Sequence, residues 1–239
     1  MAQTAEHLER GRLSFDRRGL LAFGALGVAA YALTLAATVP AGVALSGAGL
    51  APSGTIWNGE ANLNGSTAAW KVRPLRSLLR LSVSADVTVR GSRTELAGQA
   101  DWRPGRLVMQ DVAGRADGSL IAALAPRLPF TCDLMMQVDL KRIVVSGRNS
   151  GAVGEVRSEP GACSANVGEV RSAAPAMTVV STMDHAGWKA VATPRLDPAT
   201  RLGEASLAPD GLLTLSVRPA GAAVFPGASA VGASWEFRL

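Results

Sequence analysis

The sequence predicts a mainly β protein: a single N-terminal transmembrane helix followed by a domain built on a curved, mostly antiparallel sheet with one or two short helices. Residues Gly19 to Gly59 carry no charged side chain, which marks off the helical part. Beyond them, apolar and polar residues alternate in short runs, the signature of strands with one dry face. Gly (26) and Pro (13) are frequent while aromatics make up only 5% of the chain, a composition suited to many strands and tight turns.

The helix comes first. Leu20 to Val39 is apolar throughout and Pro40 ends it; a span needs roughly 20 such residues, because lipid offers the polar backbone no partner and a continuous helix satisfies it internally. Arg10, Arg12, Arg17 and Arg18 precede the segment, and no Lys or Arg follows until Lys71, so the N-terminus is expected on the cytoplasmic side. The division is 1–18 leader, 19–40 membrane helix, 41–239 exported β-rich domain. Two other readings of the segment stand beside the anchor. Gly42-Val-Ala44 offers small residues for cleavage of a signal peptide, and Arg17-Arg18-Gly19-Leu20-Leu21 has twin arginines. The apolar stretch exceeds the 7 to 15 residues of a signal h-region, which favours a retained anchor.

Within the exported part, Leu81-Ser-Val-Ser-Ala-Asp-Val-Thr-Val-Arg90 alternates without a break. It places Leu81, Val83, Ala85, Val87 and Val89 on a dry face, with Ser82, Ser84, Asp86, Thr88 and Arg90 on a wet one. Leu134 to Leu140 and Leu213 to Val217 repeat the pattern. Gly54 to Trp57, Glu60 to Asn64, Thr67 to Val72, Thr94 to Trp102, Arg106 to Ala116, Ile143 to Gly147, Gly151 to Arg157 and Met177 to Thr182 are further strands, each bounded by turn residues. The last strand, Ala233 to Leu239, puts Trp235, Phe237 and Leu239 on one side; an outer-membrane barrel could end so, but the N-terminal helix already supplies an anchor. Short helices are expected at Leu75 to Leu79, with Pro74 in the first turn, and at Ser119 to Leu124, with Ser119 as N-cap. A loose echo of Gly, Trp, base and Pro surrounds Trp70, Trp102 and Trp188, as if successive hairpins used a Trp to cover the end of the apolar face with its N–H bonded at the rim.

Charge and cysteines narrow the function classes. Net charge is +5 and the pI about 10.0. Of 24 basic and 19 acidic residues in the chain, the leader holds four and three, leaving 20 against 16 beyond it. That mild excess, without basic clusters interleaved with aromatics, argues against nucleic acid as a partner. Cys132 and Cys163 lie after the span, where an oxidising compartment favours a disulfide worth roughly 3 kcal/mol over two free buried thiols. Their spacing is not that of a redox or zinc motif.

Catalytic patterns are missing. The chain has two histidines, His7 and His185, and only His185 lies in the exported part. Its neighbour Asp184 is poorly placed to orient it, because adjacent strand residues point to opposite faces, and Met183-Asp-His-Ala-Gly187 reads as a turn. No nucleophile elbow, phosphate loop or dinucleotide fingerprint occurs. Asp101, Asp111, Asp117, Asp133 and Asp139 sit at strand or turn positions that read as solvated. No enzyme, cofactor, metal or small-molecule substrate is expected.

Pro52-Ser-Gly-Thr-Ile-Trp-Asn-Gly-Glu-Ala61 resembles the type II secretion system protein N family. Ser53, Gly54, Thr55, Trp57, Gly59 and Ala61 match its Ser-Gly-Thr-x-Trp-x-Gly-x-Ala stretch. Trp70 and Pro74 match a Trp-x-x-x-Pro element, and Gly105-Arg-Leu107-Val-Met109-Gln-Asp-Val112-Ala-Gly114 is similar to its Gly-x-Leu-x-Leu-x-x-Leu/Val-x-Gly strand. The likeness runs to about Val145 and does not extend to the loop between the cysteines. It implies a single-pass bacterial inner-membrane protein with a periplasmic domain, an accessory part of the apparatus that exports folded proteins, whose partners are other subunits of that apparatus. The motif residues themselves read as structural: Gly54 and Gly59 for tight turns or close approach, Trp57 as core. Two other functions compete. A curved sheet with an open apolar face could handle lipid, as in proteins resembling the AsmA group, and a cleft with clustered carboxylates would indicate an anchored envelope enzyme.

Overall fold

A computed structural model of the chain describes residues 17–42, 51–63, 65–119, 128, 130–147, 150–166, 170–185, 187–228 and 231–238. The chain divides into Met1–Val39 and Pro40–Leu239, one residue before the boundary expected from sequence. The leader with His7, the Gly42-Val-Ala44 cleavage reading beyond Gly42, and nearly all of the Ser119 to Leu124 helix lie outside the described residues.

In the first unit, helix α1 covers Arg17–Thr38, 22 residues. Leu21, Phe23, Leu26, Val28, Tyr31 and Leu35 are all more than half exposed along it, as on a helix that is apolar around its whole circumference. Its side chains are described at 21–32, 34, 35 and 38; among the described residues, no helix is long and apolar enough to cross a membrane.

The second unit is mainly β, and its elements among the described residues include two short helices. Its elements are β1 (Pro52–Gly54), β2 (Asn58–Leu63), β3 (Ser66–Val72), α2 (Pro74–Arg80), β4 (Val83–Arg90), β5 (Glu95–Arg103), β6 (Arg106–Asp117), β7 (Phe130–Asp133), β8 (Met135–Ser146), β9 (Gly151–Ser158), β10 (Gly161–Ala165), β11 (Arg171–Ala174), β12 (Met177–Asp184), β13 (Gly187–Pro194), β14 (Gly203–Leu207), β15 (Leu212–Val217), α3 (Pro219–Ala222) and β16 (Ala233–Arg238). Thirteen strands form one antiparallel sheet in the order β1-β2-β3-β4-β5-β6-β8-β9-β12-β13-β14-β15-β16, and β11-β10-β7 form a second. The large sheet is thus a meander, and the departures from it among the described strands supply the small sheet.

Register shows how the pattern closes. Directly paired residues share a face, and the pairs Pro52–Ala61–Ala68–Val89–Leu96–Gly114–Val138–Val156–Val179–Ala192–Gly203–Val217–Ala233 run in one unbroken row across the large sheet. No member is polar. The small sheet and the segment around α3 cover the middle of this face, so that Leu96, Val112, Ala116, Met136, Val138 and Met177 pack with Leu134, Cys163, Ala174, Leu202 and Val224.

An irregularity in β6 explains the spacing of its apolar residues. Leu107 and Met109 are two apart, but the next apolar side chain is Val112. Register slips by one between β6 and β5, and again between β8 and β9, around Asp111 and Lys141. Asp111 has φ 51°, and the extra residue is a β-bulge that lets Val112 rejoin the face of Met109. Beyond the bulge the burial moves to the opposite face: Val144 is buried and Val145 exposed.

Several sequence expectations are corrected here. Leu81 does not begin a strand; it caps α2 with φ 48° and is almost fully exposed. Ser84, expected on the wet face of β4, is 1% exposed, because Ser77 of α2 and Asp101 close over it. Ile56 and Trp57 make a turn, not a strand, and the two strands expected between Leu134 and Gly147 are the single β8. The strands β7, β10, β11, β13 and β14 and the helix α3 were not anticipated.

Candidate functional site

The residues singled out by motif assemble into one clasp. The Ser53-Gly54-Thr55 end of β1 turns back through Ile56 and Trp57 into β2, with the Thr55 amide donating to the Asn58 carbonyl at 2.9 Å and the Asn58 amide donating to Thr55 Oγ1 at 3.2 Å. Gly54 has φ 84°, a conformation that favours glycine. Gly59 leaves room for Trp70: a Cβ there would stand 2.6 Å from Trp70 Cζ2 and 2.5 Å from the Ser53 carbonyl oxygen. Trp70 Nε1 donates to the Ile56 carbonyl at 3.2 Å, tying β3 back over the turn. The Val72 amide donates to the Trp57 carbonyl at 2.7 Å, and Pro74 then occupies the first turn of α2. A bridge between Pro40 and Thr55 joins the clasp to the start of the unit. Trp57 itself stands 38% exposed at the turn, so its reading as core is corrected.

Next to the clasp, α2 lies on the sheet with its polar side inward. Arg76 donates to Gln99 Oε1. Arg80 Nη1 donates to Asp101 Oδ2 at 2.6 Å, Arg103 Nη2 donates to the Arg80 carbonyl at 2.7 Å, and Arg73 Nε donates to Asp86 Oδ2 at 2.6 Å. Burial would raise the Asp101 carboxyl, but hydrogen bonds from Ser84 and Arg80 and the charges of Arg80 and Arg76 outweigh it and hold it below the ordinary carboxylate range. Beside it Arg80, Arg103, Arg106 and Arg142 line a hollow of about 340 Å³ with Asp101 as its one carboxylate. Sequence reasoning placed Asp101 on a solvated face; the run of arginines at 73, 76 and 80 was the available signal that it has partners.

At the other end of the strands the disulfide Cys132–Cys163 forms as expected, joining directly paired residues of β7 and β10. Near it, Arg93 reaches Asp133 at 2.8 Å and Asp117 at 3.6 Å. Asp117 is buried, again contrary to the solvated reading. Hydrogen bonds from Ser119 hold its carboxyl low against the opposing effect of burial, with Arg93 assisting. Between the sheets is an almost wholly apolar cavity of about 140 Å³, lined among others by Phe130, Met136, Val156, Met177 and Phe225. The rings of Phe130 and Phe225 lie 5.2 Å apart.

The tryptophan echo divides. Trp188 Nε1 donates to the Ala152 carbonyl at 2.8 Å, as Trp70 does to Ile56, whereas Trp102 is 52% exposed. His185 borders a hollow with Asp184, Arg142 and Trp188. Among the described residues, no group of three or more His, Cys, Asp or Glu side chains could hold a metal ion.

Comparison with models of protein families, with curated proteins and with solved structures finds no match. What the structure itself defines is a class: an antiparallel β-meander domain covered by a small second sheet that carries one internal disulfide, and following an apolar helix.

Proposed function

We propose that this chain is an accessory subunit of a type II secretion apparatus, held in the bacterial inner membrane by α1 and carrying its β domain in the periplasm, where it acts through protein contacts and not as an enzyme. The observation that carries this reading is the clasp. Three separate stretches that resemble the family have a shared physical sense: the Ser-Gly-Thr-x-Trp-x-Gly-x-Ala run makes the β1–β2 turn, Trp70 packs on Gly59, and the x-x interval in the Gly105 to Gly114 strand is the bulge at Asp111. The anchor rests on the uncharged apolar run Leu20 to Val39 of the sequence, which α1, Arg17–Thr38, largely covers. The disulfide is compatible with an oxidising compartment. Among the described residues the outer strands of the large sheet, β1 and β16, each pair on one side only and could accept a strand from another subunit.

A second reading, lipid handling, is favoured by the unbroken apolar row and by the dry cavity between the sheets. One experiment separates them. The gene is deleted in its native bacterium, and a folded exoprotein is followed in periplasmic and culture fractions together with outer-membrane permeability. Periplasmic accumulation behind an intact outer membrane is the expected result. Normal secretion with an altered, permeable envelope refutes the secretion reading and supports the lipid one.

A further inference from the structure

An amphipathic helix on a globular domain normally buries its apolar stripe and shows water its charges. Helix α2 does the reverse. Arg76 and Arg80, four apart, turn toward Gln99 and Asp101 of the sheet. Leu75, Leu78 and Leu79, on the other side of the helix, are 80%, 74% and 85% exposed, and Leu81 after them is 85% exposed. No residue of α2 is buried. Its attachment to β4 is polar, through Ser77, whose Oγ accepts the Ser84 amide at 2.9 Å. A cluster of this kind marks a surface that is covered in use.

We propose that this patch rests on the surface of an anionic lipid bilayer, holding the β domain flat against the membrane. Charge complementarity selects that occupant. Arg73, Arg76, Arg80, Arg103, Arg106 and Arg142 stand around the leucines, and the carboxylates beside them are Asp86 and Asp101. Leucine flanked by arginine is the chemistry of the headgroup boundary, and each arginine near an anionic surface contributes about a fivefold gain in partitioning. Chain path agrees. The chain leaves α1 at Thr38, pairs at Pro40 with Thr55, and the Trp57 carbonyl two residues on receives the Val72 amide, just before Arg73 and Pro74 open α2. The patch therefore adjoins the place where the chain from the apolar helix enters the domain. In this last respect the inference rests on the anchored reading above.

The test uses the full chain in vesicles. Because Cys132 and Cys163 are paired, a nitroxide can be placed selectively at Leu79→Cys, or at Val180→Cys as a control on another exposed part of the sheet. Collisions with oxygen and with a water-soluble nickel complex are then compared. In phosphatidylglycerol-containing vesicles the oxygen-to-nickel ratio at position 79 should exceed that at 180 by about threefold or more. It should fall to the control value in pure phosphatidylcholine and in the Arg106→Glu/Arg142→Glu variant. A water-exposed label at 79 in all vesicles refutes the proposal. So does a label shielded only when other envelope proteins are added, which would make the patch a protein-docking surface. Resistance to alkaline carbonate extraction, read on the same vesicles, reports α1 separately: an inserted chain with an exposed label refutes the patch alone, and an uninserted chain refutes the anchor.

Discussion

If the clasp is structural, Gly59→Ala should unfold the domain earlier. The added Cβ would lie 2.5 Å from the Ser53 carbonyl oxygen, 2.6 Å from Trp70 Cζ2 and 3.0 Å from the Thr55 carbonyl oxygen. Two of these atoms are main chain, fixed by the pairing of Gly54 with Gly59 and Ser53 with Glu60, and the third belongs to an indole tied to Ile56. Relief requires the turn to open or Trp70 to tilt off its hydrogen bond. Overpacking of this kind costs about 1–3 kcal/mol, while alanine lowers unfolded-state entropy by an amount worth about 0.4–1 kcal/mol in the opposite direction. The net is a loss of about 1.3 kcal/mol, or about 3–5 °C in Tm for a domain of this size. Denaturant unfolding followed by tryptophan fluorescence should show a lower midpoint at unchanged slope. Gly147→Ala, where no atom lies within 4 Å of the added carbon, provides the control and should stay within about 0.5 kcal/mol of the parent. A Gly59→Ala protein as stable as the parent would refute the packing argument and make that glycine a contact residue.

Opening the disulfide by Cys132→Ser with Cys163→Ala should lower stability by about 3 kcal/mol from lost loop constraint, seen as a lower denaturant midpoint; an unchanged midpoint would show that the small sheet is held without it. Asp101 and Asp117 both titrate below the ordinary carboxylate value in the folded chain. Their contribution is therefore present above about pH 4 and is lost as pH falls through the lowered folded values. Urea midpoints should be flat across neutral pH and drop on acidification, less steeply in Asp117→Asn; an equal acid slope in parent and variant would refute the assignment. Glu204 of β14 bridges Lys189 of β13 at 3.5 Å and Arg218, just past β15, at 2.7 Å. Glu204→Gln should cost no more than about 1 kcal/mol, and the difference should shrink in high salt; a salt-independent loss would contradict an ionic origin.

Alternation was enough to recognise the sheet-forming strands with continuous dry faces, such as β4 from Val83 onward and β15, and Pro74 marked the start of α2. What it missed was decided by tertiary context. The strands β10, β11 and β14 are rich in Gly, Ala and Ser, and have little hydrophobic contrast to alternate. Ser84 reads as wet because Ser82 and Asp86, which alternation puts on its face, are polar, yet a seven-residue helix returns over it. Asp101 and Asp117 were misplaced for the same reason: their arginine partners lie 21 and 24 positions away. The interval between Met109 and Val112 carried the bulge openly, and a run of two-residue steps broken by one of three is the signal that would have found it. The clasp residues were visible as a motif, but the dependence of Gly59 on Trp70 appears only once β2 and β3 are paired.

The order of strands in the large sheet also bears on how the domain is made. A chain delivered from its N-terminal end can add β1 through β6 one after another, each new strand finding its mate among residues already in place. Such zipping pays little loop-closure entropy at any step. Two detours interrupt it: β7 must wait unpaired while β8 and β9 join the growing edge, until β10 arrives. During that interval Cys132 has no mate and one apolar face has no cover. Oxidation is thus timed by topology, and an oxidant acting too early would meet a lone thiol on an unfinished sheet.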